Sequence, residues 1–449
     1  MPMTRRTWLS IVAAGVAGAL TPLRSLAAQD GEQRELERRI GRLIDEYGQQ
    51  GFHRTGTAVD RRSGDWLYDE VRRIGLPADR ESFLLGRVDP GKSVLIVQDR
   101  RIEGLPLFDG AFTAADGIRG RLGPINSDAE IGLAEAPPNT AGAGAIGEAR
   151  RQQRHKAIVF VTRGGRPGLC PSNADRFLDP FGPPVLQVSS DESAFLTQQA
   201  QARAEVQLIA RATRSSATAF NVTAAITGRD RGLAPLVVMT PRSGWYACAS
   251  ERGGGIACWL ELIRTLRAAT PTRDVLFVAS SGHELGHLGI DAYVARRPGI
   301  VPKTVGWIHL GANIGAATRP GDPPPAAGDD PALRHATPVL GPANTIQASD
   351  DEFESILSRA MSAGGLAISR RNPRGTIPGG EAETVHRGGG RYVSVIGSNA
   401  LFHNPDDRGP QAVDVSAIAR FSKAFAVVAD ALVRTDRLAP EARYAPKAP

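Results

Sequence analysis

With 449 residues, 41% of them hydrophobic and 22% charged, the chain is long and apolar enough to bury a large core in more than one structural unit. Its formal net charge of +7 comes from arginines spread along the whole length, without a basic run or interleaved stacking aromatics, so composition points to no nucleic-acid partner. The three cysteines, Cys170, Cys248 and Cys258, allow at most one disulfide, and none lies in a CxxC pair, which argues against a cysteine zinc cluster or a redox dithiol.

Residues 1–28 read as a leader. Thr4-Arg5-Arg6-Thr7-Trp8-Leu9-Ser10 precedes an apolar run from Ile11 to Leu20 and the small-residue end Ser25-Leu26-Ala27-Ala28. That is the pattern of a twin-arginine signal peptide, and it predicts a periplasmic or secreted protein. The run is shorter than the roughly 20 residues of a bilayer span, and no later segment is apolar enough to cross, so no membrane association is expected after cleavage. Glu32 to Tyr47 carries Leu36, Ile40, Leu43, Ile44 and Tyr47 on one face, predicting an amphipathic helix. Ser63 is the expected N-cap of a second helix that faces Trp66, Leu67, Val71 and Ile74 inward and ends at Gly75. Residues 30–87 thus open the main domain.

Over 88–212 the texture changes to short strand-like runs separated by Gly, Pro, Asn and Asp. Val94 to Val97 and Ala157 to Val161 read as buried strands, and Val185 to Val188 leads into a capping box at Ser189 and Glu192. Over 213–435 strands alternate with helices: Leu236 to Met239, the helix Gly254 to Arg267, Val275 to Val278, Thr304 to Leu310, then helices Asp351 to Ala363 and Val413 to Val433. The alternation predicts an α/β fold with a doubly wound, mostly parallel sheet. Arg319 to Pro331 is expected to be a mobile surface loop, and 436–449 a disordered tail.

The chemistry concentrates between Asp274 and Ile290. An apolar strand there runs through Ser280-Ser281-Gly282 into His283-Glu284-Leu285-Gly286-His287, at the kind of strand end where an open α/β sheet gathers its reacting groups. Read as HExxH, both histidines would bind zinc from one helix face with Glu284 as base, but Gly286 and Gly289 weaken a helix at that place. The wider segment GHELGHLGIDAYV resembles the G-x-E-E-x-G-x-x-G-S-x-x-Y segment of the zinc aminopeptidase family that includes glutamate carboxypeptidase, the transferrin receptor and the glutaminyl cyclases. Similar, too, are Thr55-Gly56-Thr57 with Trp66-Leu67, Asn221-Val222-Thr223-Ala224, and Phe402-His403-Asn404-Pro405-Asp406-Asp407. The 88–212 unit resembles the protease-associated inserts that wall the substrate cleft in that family.

The resemblance implies a metal centre that keeps one half of its ligands. It puts Glu251 at the bridging-aspartate position, Glu284 at the metal-binding glutamate and His403 at the C-terminal histidine, so that the three would hold one zinc ion. For the other metal, Thr240-Pro241-Arg242-Ser243 stands where H-x-D is expected, and Gly311 where a later aspartate is. His283 falls at the general-base position, which a neutral imidazole can fill. Arg242 is expected to lend fixed positive charge to a substrate carboxylate or a developing oxyanion. Trp245 and Tyr246 are candidate pocket walls, and Glu381, Glu383 and His386 a candidate substrate-facing loop; His287 and His309 read as packed or hydrogen-bonded core histidines. The implied function is an exported aminopeptidase-like hydrolase that cleaves a peptide or small amide with at most one zinc. Two other readings stay open: a non-catalytic peptide- or partner-binding protein on the same fold, and a mononuclear zinc transferase of the glutaminyl cyclase kind.

Overall fold

The computed structural model describes residues 30–316, 344–409 and 412–434. The leader, the loop at 319–331 and the tail at 436–449 therefore lie outside the described residues. Helix α1 covers 30–48 and buries Ile40, Leu43, Ile44 and Tyr47, the face its periodicity predicts. Helix α2 (Ala58–Arg73) starts earlier than Ser63. Its N-cap is Thr57, whose hydroxyl accepts from the Asp60 amide at 3.2 Å, while the Asp60 carboxylate accepts from the Gly56 amide at 2.9 Å. This reciprocal cap leaves Ser63 buried inside the helix.

Two long strands, β1 (Ala78–Val97) and β7 (Glu205–Ile226), pair antiparallel along their length and connect the two halves of the molecule. Their distal parts join β2 (Arg100–Pro106), β3 (Ile118–Pro124), β4 (Ile131–Ala136), β5 (Ala157–Thr162) and β6 (Val185–Ser189) in the ring β1-β2-β6-β5-β4-β3-β7-β1. Closing the ring pairs every edge, and its core is Leu95, Val97, Leu122, Val159, Leu186 and Leu208. The β-rich stretch of the sequence is thus a barrel whose first and last strands continue into the main sheet.

That sheet runs on from β7 through β9 (Val275–Ser280), β8 (Leu236–Pro241), β10 (Gly306–Leu310) and β13 (Tyr392–Ile396) to β11 (Thr345–Ala348) and β12 (Arg370–Arg371). β9, β8, β10 and β13 are mutually parallel. Both faces are covered, as a parallel core requires. Leu236 and Val238 pack with α1, α2, α5 (Gly253–Ala269) and the helix Val415–Arg434, whereas Val237 and Met239 pack against the opposite layer with Ile290, Tyr293 and Val385. The chain passes from β8 to β9 on one side and then returns across β8 to β10 on the other. Such a reversal opens a crevice at the carboxyl end of β8, where the sheet gathers its functional side chains.

Candidate functional site

Beyond β9 the backbone turns sharply. Gly282 has φ +94°, His283–Leu285 form one short 3-10 turn, and Gly286 and His287 have φ +75° and +64° before a helix starts at Leu288. The left-handed residues interrupt any helix here, so the HExxH arrangement does not form. His283 turns inward, while His287 faces a separate hollow of about 480 Å³ with Asp175, Asp291 and Glu383.

Glu284 is buried, and both its oxygens are engaged by groups other than the expected ligands. Its Oε1 accepts from the Thr55 amide at 2.6 Å and its Oε2 from the Ser243 hydroxyl at 2.8 Å. Burial raises its pKa, with the Thr55 amide working in the opposite direction. Both oxygens therefore tie the entry segment at Thr55 to the loop after β8, and Glu284 does not join Glu251 and His403. Glu284→Gln keeps an acceptor for Thr55 but loses the one for Ser243, whose hydroxyl already accepts from the Gly282 and His283 amides, so it is expected to cost about 1 kcal/mol of unfolding free energy, whereas Glu284→Ala costs about 1–3 kcal/mol. Urea melts of both variants check this; equal losses would return Glu284 to a role that needs its charge.

Arg242 is likewise placed elsewhere. It is 1% exposed, with Nη1 on the Asp60 carboxylate at 2.8 Å and on the Asp60 carbonyl at 3.0 Å, and Nη2 on the Phe220 carbonyl at 2.5 Å. It supports the start of α2 from behind the crevice and presents no charge to it.

What the crevice holds is a buried charge cluster at the start of α5. Glu251 Oε1 lies 2.6 Å from Arg252 Nη2 and 3.6 Å from His403 Nε2, and its Oε2 lies 3.6 Å from Cys248 Sγ. Asp407 fixes the backbone beneath by accepting from the Ser250 and Glu251 amides. The Arg252 Nε donates to the Ser243 carbonyl at 2.8 Å. Burial opposes charge on Glu251, yet Arg252, then His403 and His283, hold its carboxyl below the usual range. His403 donates from Nδ1 to the Pro171 carbonyl at 2.6 Å, which leaves its Nε2 lone pair aimed at Glu251.

Pro171 belongs to a strap from the barrel that crosses this cluster. Asn404 donates to the Pro167 carbonyl, the Tyr246 hydroxyl to the Leu169 carbonyl, Trp245 Nε1 to Asn173, and the Ala174 amide to the Glu284 carbonyl. This strap of the barrel crosses the cluster, and Glu251, Arg252 and His403 are buried beneath it. On the outer side of the strap a cavity of about 430 Å³ remains, lined by Phe52, Val59, Leu105, Leu169, Trp245 and Tyr246, with Arg54 at its polar side. Trp245 and Tyr246 are pocket walls in this sense.

A second constellation was legible only as separate residues. Glu381 is 1% exposed and bridges two imidazoles, His283 Nδ1 at 3.0 Å and His309 Nε2 at 3.3 Å, while His309 Nδ1 meets Ser394 Oγ at 2.8 Å. Burial opposes its charge, but His283 and His309 hold its carboxyl well below the usual range. Burial, followed by the charge of Arg252, lowers His283 to about 4 and keeps that imidazole neutral near pH 7. Glu381 is therefore a buried anchor and not part of a substrate-facing loop. Glu383 pairs with Arg387 at the surface, and His386 is buried against the Tyr392 hydroxyl at 3.2 Å, so neither shares a pocket with Tyr246. All three cysteines are free and buried.

The entry segment adds a pH-sensitive group. His53 stacks on Tyr47 with ring centroids 3.9 Å apart, and burial lowers its pKa from 6.5 to about 3. Its unfolded form binds a proton near pH 6.5 and its folded form does not, so stability falls as pH drops through that window. His53→Phe keeps the stack and is expected to flatten the loss between about pH 7 and about pH 5 in urea melts; an unchanged slope would assign the acid lability to the other histidines whose pKa burial lowers, His283, His386 and His403.

No protein-family model and no curated protein matches the chain. Solved structures do. A zinc aminopeptidase from Bacillus subtilis is 15% identical, with a TM-score of 0.68 over 91% of this chain and 97% of its own. An aminopeptidase from Aneurinibacillus sp. strain AM-1 is 14% identical, with a TM-score of 0.65 over 90% of this chain and 96% of its own. A Peptidase M28 precursor from Shewanella amazonensis SB2B is 14% identical, with a TM-score of 0.67 over 90% and 97%. The fold is therefore that of the zinc aminopeptidases.

The donor set of this chain does not fit the zinc centre that such a fold implies. Of the three expected ligands, Glu284 has both oxygens engaged by Thr55 and Ser243, and a buried guanidinium stands against Glu251 and opposes a second cation there. Among the described residues no group of three or more His, Cys, Asp or Glu side chains is placed to hold a metal.

Proposed function

We propose that the chain is an exported peptide-binding protein built on the aminopeptidase fold, in which a fixed arginine replaces the zinc. The guanidinium of Arg252, 2.6 Å from Glu251, carries this reading because it puts permanent positive charge where Glu251 and His403 would share a cation. Export is supported by the twin-arginine pattern ahead of Ala28. A peptide ligand is supported by the likeness to aminopeptidases and by the apolar cavity between the barrel and the main sheet, whose aromatic walls suit a bulky apolar side chain. The barrel's strap forms one wall, the part a protease-associated-like insert plays.

The test is metal content together with peptide binding. Mature protein recovered from the periplasm is expected to carry no stoichiometric zinc by inductively coupled plasma mass spectrometry. It is expected to bind peptides with a large apolar residue equally well with and without chelator. Tyr246→Ala removes one cavity wall and is expected to weaken that binding roughly tenfold or more by calorimetry. One zinc per wild-type chain would overturn the reading.

One observation favours a second reading, hydrolysis. Glu381 orients His283 through Nδ1 at 3.0 Å and so frees Nε2 to move a proton, an arrangement that binding alone does not need. Release of amino-terminal residues from peptides, lost in His283→Ala, would establish it.

A further inference from the structure

We propose that the cavity outside the strap holds the carboxylate end of a peptide, with an apolar last side chain between the aromatic walls and the free α-carboxylate on Arg54. The proposal rests on the peptide-binding reading and adds to it which end of the ligand is recognised.

The hydroxyl and ring N–H groups of the cavity wall are already committed. Trp245 Nε1 donates to Asn173 at 3.0 Å, the Tyr246 hydroxyl to the Leu169 carbonyl at 2.9 Å, and the Thr57 hydroxyl to the Arg54 carbonyl at 2.7 Å. The Arg54 guanidinium differs from them. Among the described residues it makes no hydrogen bond, and its ionic partner, Asp89, stands off at 3.9 Å from Nη2. Asp89 is taken up by Arg87, whose Nε and Nη2 donate to its two oxygens at 2.7 and 3.0 Å, and by the Ser215 hydroxyl. Arg87 thus balances Asp89, and Arg54 keeps positive charge for a ligand.

The chain holds that charge in place. The amides on either side of Arg54 are anchored, His53 to the Tyr246 carbonyl at 3.0 Å and Thr55 to Glu284 at 2.6 Å. The guanidinium lies over the Phe108 ring, 5.5 Å from its centroid. Its side chain is 22% exposed, so a ligand can reach it. Burial nevertheless works against its charge, while Glu284 and Asp89 work in favour. A partly desolvated, positioned guanidinium gains more from an incoming carboxylate than a solvated and mobile one, because less hydration and less rotamer freedom remain to be lost.

Charge also decides which end of a peptide enters. Among the described residues, none that line the cavity is acidic, so an ammonium group would meet only Arg54 and be repelled, whereas a carboxylate finds its fork of donors. The volume of about 430 Å³ suits one bulky side chain with its adjoining main chain. Phe52, half exposed and set edge-on to Tyr246 at 5.2 Å, forms a lip where the cavity meets solvent.

The test is calorimetric titration of the mature protein with an N-acetylated tripeptide ending in phenylalanine, as the free acid and as the amide. The acid is expected to bind about tenfold or more tightly than the amide, and the ratio should shrink as salt is raised, a readout that needs no variant. Arg54→Gln should bring the ratio close to one, and Arg54→Lys should keep part of the preference because it keeps the charge. Amide binding by either variant reports a folded cavity. 3-Phenylpropionate, which has the ring and the carboxylate but no peptide bond, is expected to bind roughly tenfold more weakly than the peptide acid; equal affinity would overturn the peptide end and make the ligand a small aromatic acid. Equal wild-type affinity for acid and amide, or a preference that survives in Arg54→Gln, overturns the proposal and leaves the peptide-binding reading standing. Binding of neither form overturns both.

Discussion

Arg252→Ala is expected to lower the unfolding free energy by about 3–5 kcal/mol, measured by urea denaturation of the metal-free mature protein. Glu251 and Arg252 are 1% and 0% exposed, so each has given up its hydration and each depends on the other. Removing the arginine leaves an ionised carboxylate in the interior with only a neutral histidine and a thiol beside it. Glu251 then either keeps its charge without compensation or takes up a proton at a cost that rises with pH. In the native chain burial opposes its ionisation, and the nearby guanidinium reverses the balance. Arg252→Ala should thus lose most at high pH, where protonating Glu251 is hardest. Adding Glu251→Gln removes the stranded charge, so the double variant should be more stable than Arg252→Ala alone. A loss within about 1 kcal/mol for the single variant, or a double variant no better than it, would mean that the pair is not the electrostatic centre of the crevice.

The fold was largely legible because its signals are local. The apolar face of α1, the strand at 275–280 and the helix 253–269 each follow from periodicity and from glycines that end or open an element. The start of α2 was misplaced because Ser63 and Thr57 are both good caps, and only the Asp60 carboxylate reaching back to Gly56 decides between them. In the site, Glu251 and His403 were found by motif and do meet. Glu284 was not predictable in the same way, since the left-handed residues at 282, 286 and 287 decide where two adjacent side chains go. Both are buried, His283 against Glu381 and Glu284 against Thr55 and Ser243.

Arg252 was missed although the sequence carried a signal. An arginine just ahead of a helix N-terminus opposes the helix dipole, so its presence before Gly253-Gly254-Gly255 called for a buried acidic partner, and Glu251 was adjacent. Glu381 offered no such hint. Its glycine-flanked surroundings resemble a loop, and its two histidine partners lie 98 and 72 positions away in the chain. Long-range pairing of that kind comes from the topology that brings the ends of β9 and β10 together, and no local pattern encodes it.

The same topology gives Arg242 a structural part, and Arg242→Ala is expected to cost about 3–5 kcal/mol without altering peptide affinity in the protein that remains folded. Its guanidinium is shared by the Asp60 carboxylate, the Asp60 carbonyl and the Phe220 carbonyl, so alanine strands a buried acid and two carbonyls together. Asp60 also accepts from the Ser281 hydroxyl and the Gly56 amide, which links the α2 cap to the ends of β8 and β9. Arg242→Lys should recover little of the loss, because an ammonium cannot reproduce the planar fork that reaches carboxylate and carbonyls at once. Calorimetric peptide titration beside urea melts separates the possibilities. A stable Arg242→Ala protein with lost binding would move the arginine back into the crevice, whereas unstable protein with intact binding per folded molecule leaves it behind the sheet, where Tyr47 donates to its carbonyl at 2.9 Å and joins α1 to the same support.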